Sequence, residues 1–187
     1  MIEYKAKLGD VFLCDSDRTA ARIVKFFMQS PNIYLQVWRA MTNTLQPVRY
    51  YHAGLVISDS QIIEQQSKVQ YGDTQKILSR RITIYRKKSL TEDQKALIKE
   101  RAIAQIGQGY GVEDVIGHTL TWLTGIRWFT VILGALSRDN DICVNRVARF
   151  YREIDDFGSK TWYEITTKTL DEYCAKSPDW EVVYYHD

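Results

Sequence analysis

Residues 50–66 read YYHAGLVISDSQIIEQQ. Apolar runs rich in Leu, Val and Ile lie on either side of Ser58-Asp59-Ser60. They predict two strands, Tyr50–Ile57 and Gln61–Gln66, joined as a hairpin. His52 stands in the first arm and Glu64 in the second. Facing residues of an antiparallel pair follow one register, and side chains alternate between faces. A three-residue loop, Ile57-Ser58-Asp59, sets Glu64 opposite His52. A two-residue loop, Ser58-Asp59, sets Gln65 there and turns Glu64 to the other face. Both lengths are common, so hairpin physics leaves the choice open.

Around this hairpin the pattern alternates between strand and helix. Asp10–Leu13 is a short apolar run that predicts a buried strand, opened by Gly9-Asp10. Asp17–Met28 carries Ala20, Ala21, Ile23, Val24, Phe26 and Phe27 and predicts a helix ended by Ser30-Pro31. Residues 32–48 are mixed and are not assigned. Residues 67–81 are polar and read as a loop leading to a strand over Ile82–Arg86. Thr91 and Gln94 form a capping-box pair before Leu97, Ile98, Ala102 and Ile106, which repeat at helical spacing, with Gly107 as a natural stop. The glycine-rich connector GQGYG (107–111) has no strand before it and no Lys-Ser/Thr after it, so it is not a phosphate loop. A helix is expected from Cys143 through CVNRVARFY, another around Lys168–Cys174, and a last strand over Trp180–Tyr185. No repeat or long linker divides the chain. The reading is one α+β domain over residues 1–187.

Composition narrows the functional class. A length of 187 residues, 45% hydrophobic and 26% charged, suits a globular protein, and a net charge of +2 argues against a nucleic-acid partner. The basic clusters Arg80-Arg81 and Arg86-Lys87-Lys88 flank apolar runs and read as solvated strand ends. Cys14, Cys143 and Cys174 have no CxxC spacing, and the three His residues have no metal-ligand spacing. Neither a metal nor another cofactor is therefore expected. No GxSxG occurs, which leaves serine-hydrolase chemistry unsupported. The N-terminus lacks a basic segment followed by a long apolar one, so a cytoplasmic protein is expected, with a phage-borne or lysis-released one as alternatives. The most apolar stretch, residues 115–136, is interrupted by His118, Gly125 and Arg127, so no integral membrane segment is expected. It reads as a buried helix or helical hairpin near the mouth of a cleft, with a lid or lipid-facing surface as the alternative.

Cys, His and a carboxylate are the parts of a thiol-nucleophile site. Cys143 falls in the first turn of its helix, where the dipole and unpaired N–H groups favour a thiolate, with Asp141 as the expected cap. Its position suits a nucleophile or a small core residue equally. Cys14 and Cys174 read as structural, with no His beside either. His118 reads as a buried histidine, and His186, the penultimate residue, as mobile. Taken alone, His52 reads as an ordinary sheet residue and Glu64 as a charged residue on an exposed hairpin face.

The order Gly9-Asp10, His52, Glu64, Cys143 resembles that of the permuted NlpC-type, papain-like cysteine peptidases, the YiiX-like branch, in which the Cys helix comes last. The resemblance implies a permuted papain-like fold, with a central antiparallel sheet and the nucleophile Cys at the start of a packed helix. It implies Cys143 as nucleophile, His52 as base and Glu64 as the group that orients it. It also places Tyr110 near the pocket or oxyanion hole. Val144 departs from the Ser often found after the family's Cys. The implied activity is that of a cysteine peptidase or amidase acting on a peptide, a peptidoglycan stem or another amide. A lipid-directed thiol acyltransferase or lipase and a non-catalytic binding protein are the alternatives.

Overall fold

The structure is a computed structural model. It describes residues 4–15, 33–42, 48–109, 112–126, 128–129, 132, 142–158, 161–162 and 165–187. Its strands are β1 (Val11–Cys14), β2 (His52–Val56), β3 (Gln61–Gln65), β4 (Val69–Asp73), β5 (Ile82–Lys87) and β6 (Trp180–His186). They form one antiparallel sheet in the order β4-β3-β2-β1-β5-β6. The described helices are α1 (Ile33–Met41), α2 (Thr74–Leu78), α3 (Glu92–Ile103), α4 (Val112–Thr124), α5 (Cys143–Phe150) and α6 (Thr167–Lys176).

The central strand accounts for its own sequence. VFLC is apolar at every position because β1 is covered on both faces. Val11 and Leu13 enter a core with Ala53, Leu55 and Ile63 from the sheet and Ile98, Val147 and Leu170 from the helices. Phe12 and Cys14 enter a second core with Val56, Ile62, Ile77 and Ile84. Gly9-Asp10 anchors the start of this strand. The buried Asp10 carboxylate accepts hydrogen bonds from Tyr4 Oη (2.7 Å), Lys7 N (3.0 Å) and both Nε and Nη2 of Arg86 (2.7 Å each). A buried charge needs such partners, so this motif has a sufficient structural reason.

The hairpin register differs from both expected ones. The pairs are Gly54↔Glu64, Leu55↔Ile63 and Val56↔Ile62. The loop is Ser58-Asp59-Ser60, closed by Ile57 N–H donating to Gln61 O at 3.0 Å. Glu64 therefore faces Gly54, two residues from His52 along the strand, and shares the face of His52 because side chains alternate. Gly54 is required by packing: a Cβ there would lie 2.3 Å from Phe12 Cζ and 2.8 Å from Ile63 O.

Several expectations are corrected. Residues 67–81 contain β4 and α2 instead of a loop. The Asp73 side chain caps α2 by accepting from Gln75 N, a local signal hidden by the polar composition. Residues 33–41, left unassigned, are helical. His186 is the last residue of β6 and pairs with Ile82, so it is not a loose terminus. The Thr91/Gln94 capping box is present. After α3, Gly107 adopts φ +89 and donates to Val69 O (2.9 Å), while Val69 N–H donates to Gln108 O (2.9 Å). The connector thus begins by pairing along the outer edge of β4. The expected buried segment 115–136 is only partly so. It gives α4, ended by Gly125 at φ +74 and packed on α1, with Trp122 buried and Ile116 and Leu123 exposed. Among the described residues no helix is long and apolar enough to cross a membrane. The helix expected over 17–28 lies outside the described residues.

Candidate active site

The site forms where β2 and β3 part company. Their ladder stops at Gly54↔Glu64, and β2 continues to Ala53 and His52 without a β3 partner. Helix α5 packs on β2, bringing its first residue, Cys143, to this end of the strand. The N-cap is Ile142, whose side chain makes no capping bond; the cap expected at Asp141 is displaced by one residue, and Asp141 itself lies outside the described residues. Cys143 still occupies the first helical position, where backbone N–H groups lack intrahelical partners.

Glu64 reaches diagonally along the sheet face to His52, its Oε2 lying 3.0 Å from Nε2 with both groups buried. A second donor, Gln66 Nε2, holds the other carboxylate oxygen at 2.8 Å. The His52 ring also shares a hydrogen bond with the Cys143 side chain. Because Nε2 is engaged by Glu64, Nδ1 is the nitrogen left for the thiol. The structure thus brings together Cys143, His52 and Glu64. Tyr110 lies outside the described residues.

The electrostatics of the three groups are mutually consistent. Burial works against a charged His52, but the charge and hydrogen bond of Cys143, together with the Glu64 hydrogen bond, outweigh it and raise the imidazole well above its ordinary pKa. Burial likewise opposes a Cys143 thiolate. His52 overcomes it by charge and hydrogen bonding, helped by the backbone N–H groups of Ala53 and Val144, and the thiol pKa is lowered. Burial opposes the Glu64 carboxylate as well, yet the hydrogen bond and charge of His52 hold it below its ordinary value. These directions favour an ion pair of thiolate and imidazolium, buttressed by a carboxylate.

Gln65, the rival to Glu64, points to the opposite face and serves another purpose. Its Nε2 donates to Gly109 O (2.8 Å), and its Oε1 accepts from Arg146 Nε (3.3 Å). Arg146, three residues after Cys143, is itself buried and donates to Gln105 Oε1, Gln108 Oε1 (2.7 Å each) and Gly109 O (3.2 Å). This network ties the Cys helix to the start of the glycine-rich connector. Sequence reading missed it; the recoverable signal was a cation sharing the Cys143 face at i+3.

Cys14 also needs correction, since the β1–β2 register puts it directly across from His52. Burial nonetheless raises its thiol pKa, and burial raises that of Cys174 too.

No protein-family model matches this chain, and no curated protein matches it. Among solved structures it resembles the crystal structure of metalloprotein YiiX from Escherichia coli O157:H7. The TM-score is 0.57 at 12% identity, over 98% of this chain and 99% of the other. At that identity the likeness is one of fold. The chain has a YiiX-like α+β fold, in keeping with that part of the expected resemblance.

Proposed function

We propose that this protein is a thiol hydrolase that cleaves an amide bond, a cysteine peptidase or amidase of the permuted papain-like kind. The observation that carries the reading is the buried His52 ring, held by Glu64 on one side and bonded to Cys143 on the other. In the proposed reaction the Cys143 thiolate attacks the substrate carbonyl carbon, forming a C–S bond as the carbonyl π electrons move to oxygen. The helix-start N–H of Cys143 stabilises that oxygen. The tetrahedral adduct collapses, the C–N bond breaks, and His52 gives its proton to the departing amine. Water then attacks the thioester and loses a proton to His52, and the C–S bond breaks to restore the thiolate. Glu64 fixes the ring and stabilises its charged form throughout.

A second reading has an observation of its own. Large apolar side chains are exposed on α1 and α4, which suits an ester of a lipid as the acyl donor to the same thiolate. YiiX is described as a metalloprotein. Here the candidate donors do not fit a resident metal: His52 and Glu64 are bonded to each other. Among the described residues no group of three or more His, Cys, Asp and Glu side chains is arranged to hold an ion.

The test is capture of the acyl-enzyme from a lysate or cell-wall digest, followed by mass spectrometry of the Cys143 peptide. A peptidyl adduct, absent from Cys143→Ala, is expected. A fatty-acyl adduct would transfer the reading to lipid esters, and no adduct at Cys143 under turnover conditions would overturn both.

A further inference from the structure

Helix α1 is turned the wrong way for a helix of a globular core. Its residues Tyr34, Val37, Trp38 and Met41 repeat at i, i+3, i+4 and i+7, the spacing that normally faces the interior. Here they are the outward face, with Tyr34 70%, Trp38 63% and Met41 77% exposed. The inward residue is polar: Gln36 is buried, and its Oε1 accepts a hydrogen bond from Trp122 Nε1 of α4 at 2.9 Å. The neighbouring helix continues the pattern. Leu123, Ile126 and Trp128, at and just beyond the end of α4, are also exposed. A folded protein does not gain by presenting an amide to its interior and a Trp–Met stripe to water, so this face has a use outside the fold.

Charge identifies the occupant. Over the stretches of the stripe itself, residues 33–42 and 116–129, the sequence holds two basic residues, Arg39 and Arg127, and no Asp or Glu. The two acids of α4, Glu113 and Asp114, stand in its first turn, at the other end from Leu123. The stretches that carry the exposed stripe are therefore basic. Aromatic and aliphatic side chains with interspersed cations and no anions match the interface of an anionic bilayer, where Trp and Tyr sit at headgroup level and basic residues meet phosphates. A second copy of the same face would set like charges against each other, which disfavours self-association as the use.

We propose that α1 and the end of α4 form a docking surface for an anionic lipid bilayer, which the protein engages from one side without crossing. The proposal does not depend on which bond the Cys143 site cleaves.

The experiment mixes the full chain with vesicles of phosphatidylglycerol and phosphatidylcholine, or of phosphatidylcholine alone, and follows sedimentation and tryptophan emission. Cosedimentation with the anionic vesicles and a blue shift are expected, with affinity falling about tenfold or more on zwitterionic vesicles or in high salt. The double variant Trp38→Glu/Trp128→Glu should lose about tenfold or more in affinity while keeping the circular dichroism and Cys143 alkylation rate of the parent. Should it fail to fold, Arg39→Glu keeps the apolar stripe and should still weaken anionic binding. Absence of vesicle binding, equal binding to both vesicle types, or unchanged affinity in the folded variants would overturn the proposal. So would a dimer, seen by ultracentrifugation without lipid, that the same substitutions dissolve while vesicles leave the chain in solution.

Discussion

Replacing Glu64 with alanine removes the carboxylate 3.0 Å from His52 Nε2 and leaves the thiol contact in place. A hydrogen bond to a charged group is worth roughly 1.5–3 kcal/mol. Bare Coulomb attraction at ~4 Å and an effective dielectric near 20 gives about 4 kcal/mol, which serves as a ceiling. At about 1.36 kcal/mol per factor of ten, the loss lowers the His52 pKa. The balance between the thiolate–imidazolium pair and the neutral pair then falls about ten- to a hundredfold. Loss of ring orientation adds to this, so turnover should drop by about a hundredfold or more. The assay needs no substrate: His52 is titrated by NMR, and Cys143 alkylation by iodoacetamide is timed near neutral pH. In the parent, Cys143 should label faster than Cys14 or Cys174, whose thiols burial pushes up. In Glu64→Ala the His52 midpoint should move down and the labelling advantage shrink. Gln65→Ala is the control. It loses bonds to Gly109 and Arg146 and should cost about 1–3 kcal/mol of stability without moving the His52 midpoint. An unmoved midpoint in Glu64→Ala, or an equal shift in Gln65→Ala, would refute the assignment.

Gly54→Ala should destabilise the fold by about 1–3 kcal/mol, because its methyl would enter space held by the buried Phe12 ring; urea midpoints measure this. Asp155 supplies a pH dependence. Burial opposes its charge, but hydrogen bonds from Lys87 Nζ, Phe157 N and Trp180 Nε1 prevail and hold it below the ordinary carboxylate value. A depressed folded pKa gives stability that is present above the unfolded value, ~3.9, and lost as pH falls through the folded one. Between about pH 5 and pH 2 the urea midpoint should therefore fall less steeply in Asp155→Asn than in the parent.

The strand pattern was legible wherever burial was one- or two-sided and continuous. VFLC, HAGLV and QIIEQ all became strands within a residue or two of their expected limits. Residues 67–81 were not legible, because β4 buries Val69 alone and leaves Tyr71 exposed among polar neighbours, and α2 is too short to show a period. The site was legible in its residue types but not in its geometry. Register is a property of the loop, and the loop that formed, Ser58-Asp59-Ser60, was the separator visible in the sequence but not the one used to count facing pairs. Parity rescued the pairing. Setting Glu64 opposite Gly54 instead of His52 shifts it by two positions, which preserves its face and leaves it a diagonal reach to the ring. The partners of Arg146 were not legible, because they are neutral amides on β3 and in the turn after α3, which carry no pattern in sequence.

One histidine stands beside two cysteines, and the structure distinguishes them by what surrounds each sulfur. Cys14 lies across the β1–β2 ladder from His52, fully buried with Phe12, Val56 and Ile82. Its charge attracts His52 and Arg80, yet desolvation outweighs both and its thiol pKa rises. Cys143 is desolvated too, so burial alone does not separate the pair. It has two further advantages: the N-terminal turn of α5, and backbone N–H groups from Ala53 and Val144 directed at its sulfur. The Ala53 donor is available because β2 runs past the end of its ladder with β3, leaving that edge of the strand without a β3 partner. A full ladder would have engaged that edge and left the thiol with its imidazole and the Val144 N–H. The early end of the β2–β3 pairing and the first turn of α5 thus together supply the backbone donors that help lower the Cys143 thiol pKa, while burial raises that of Cys14.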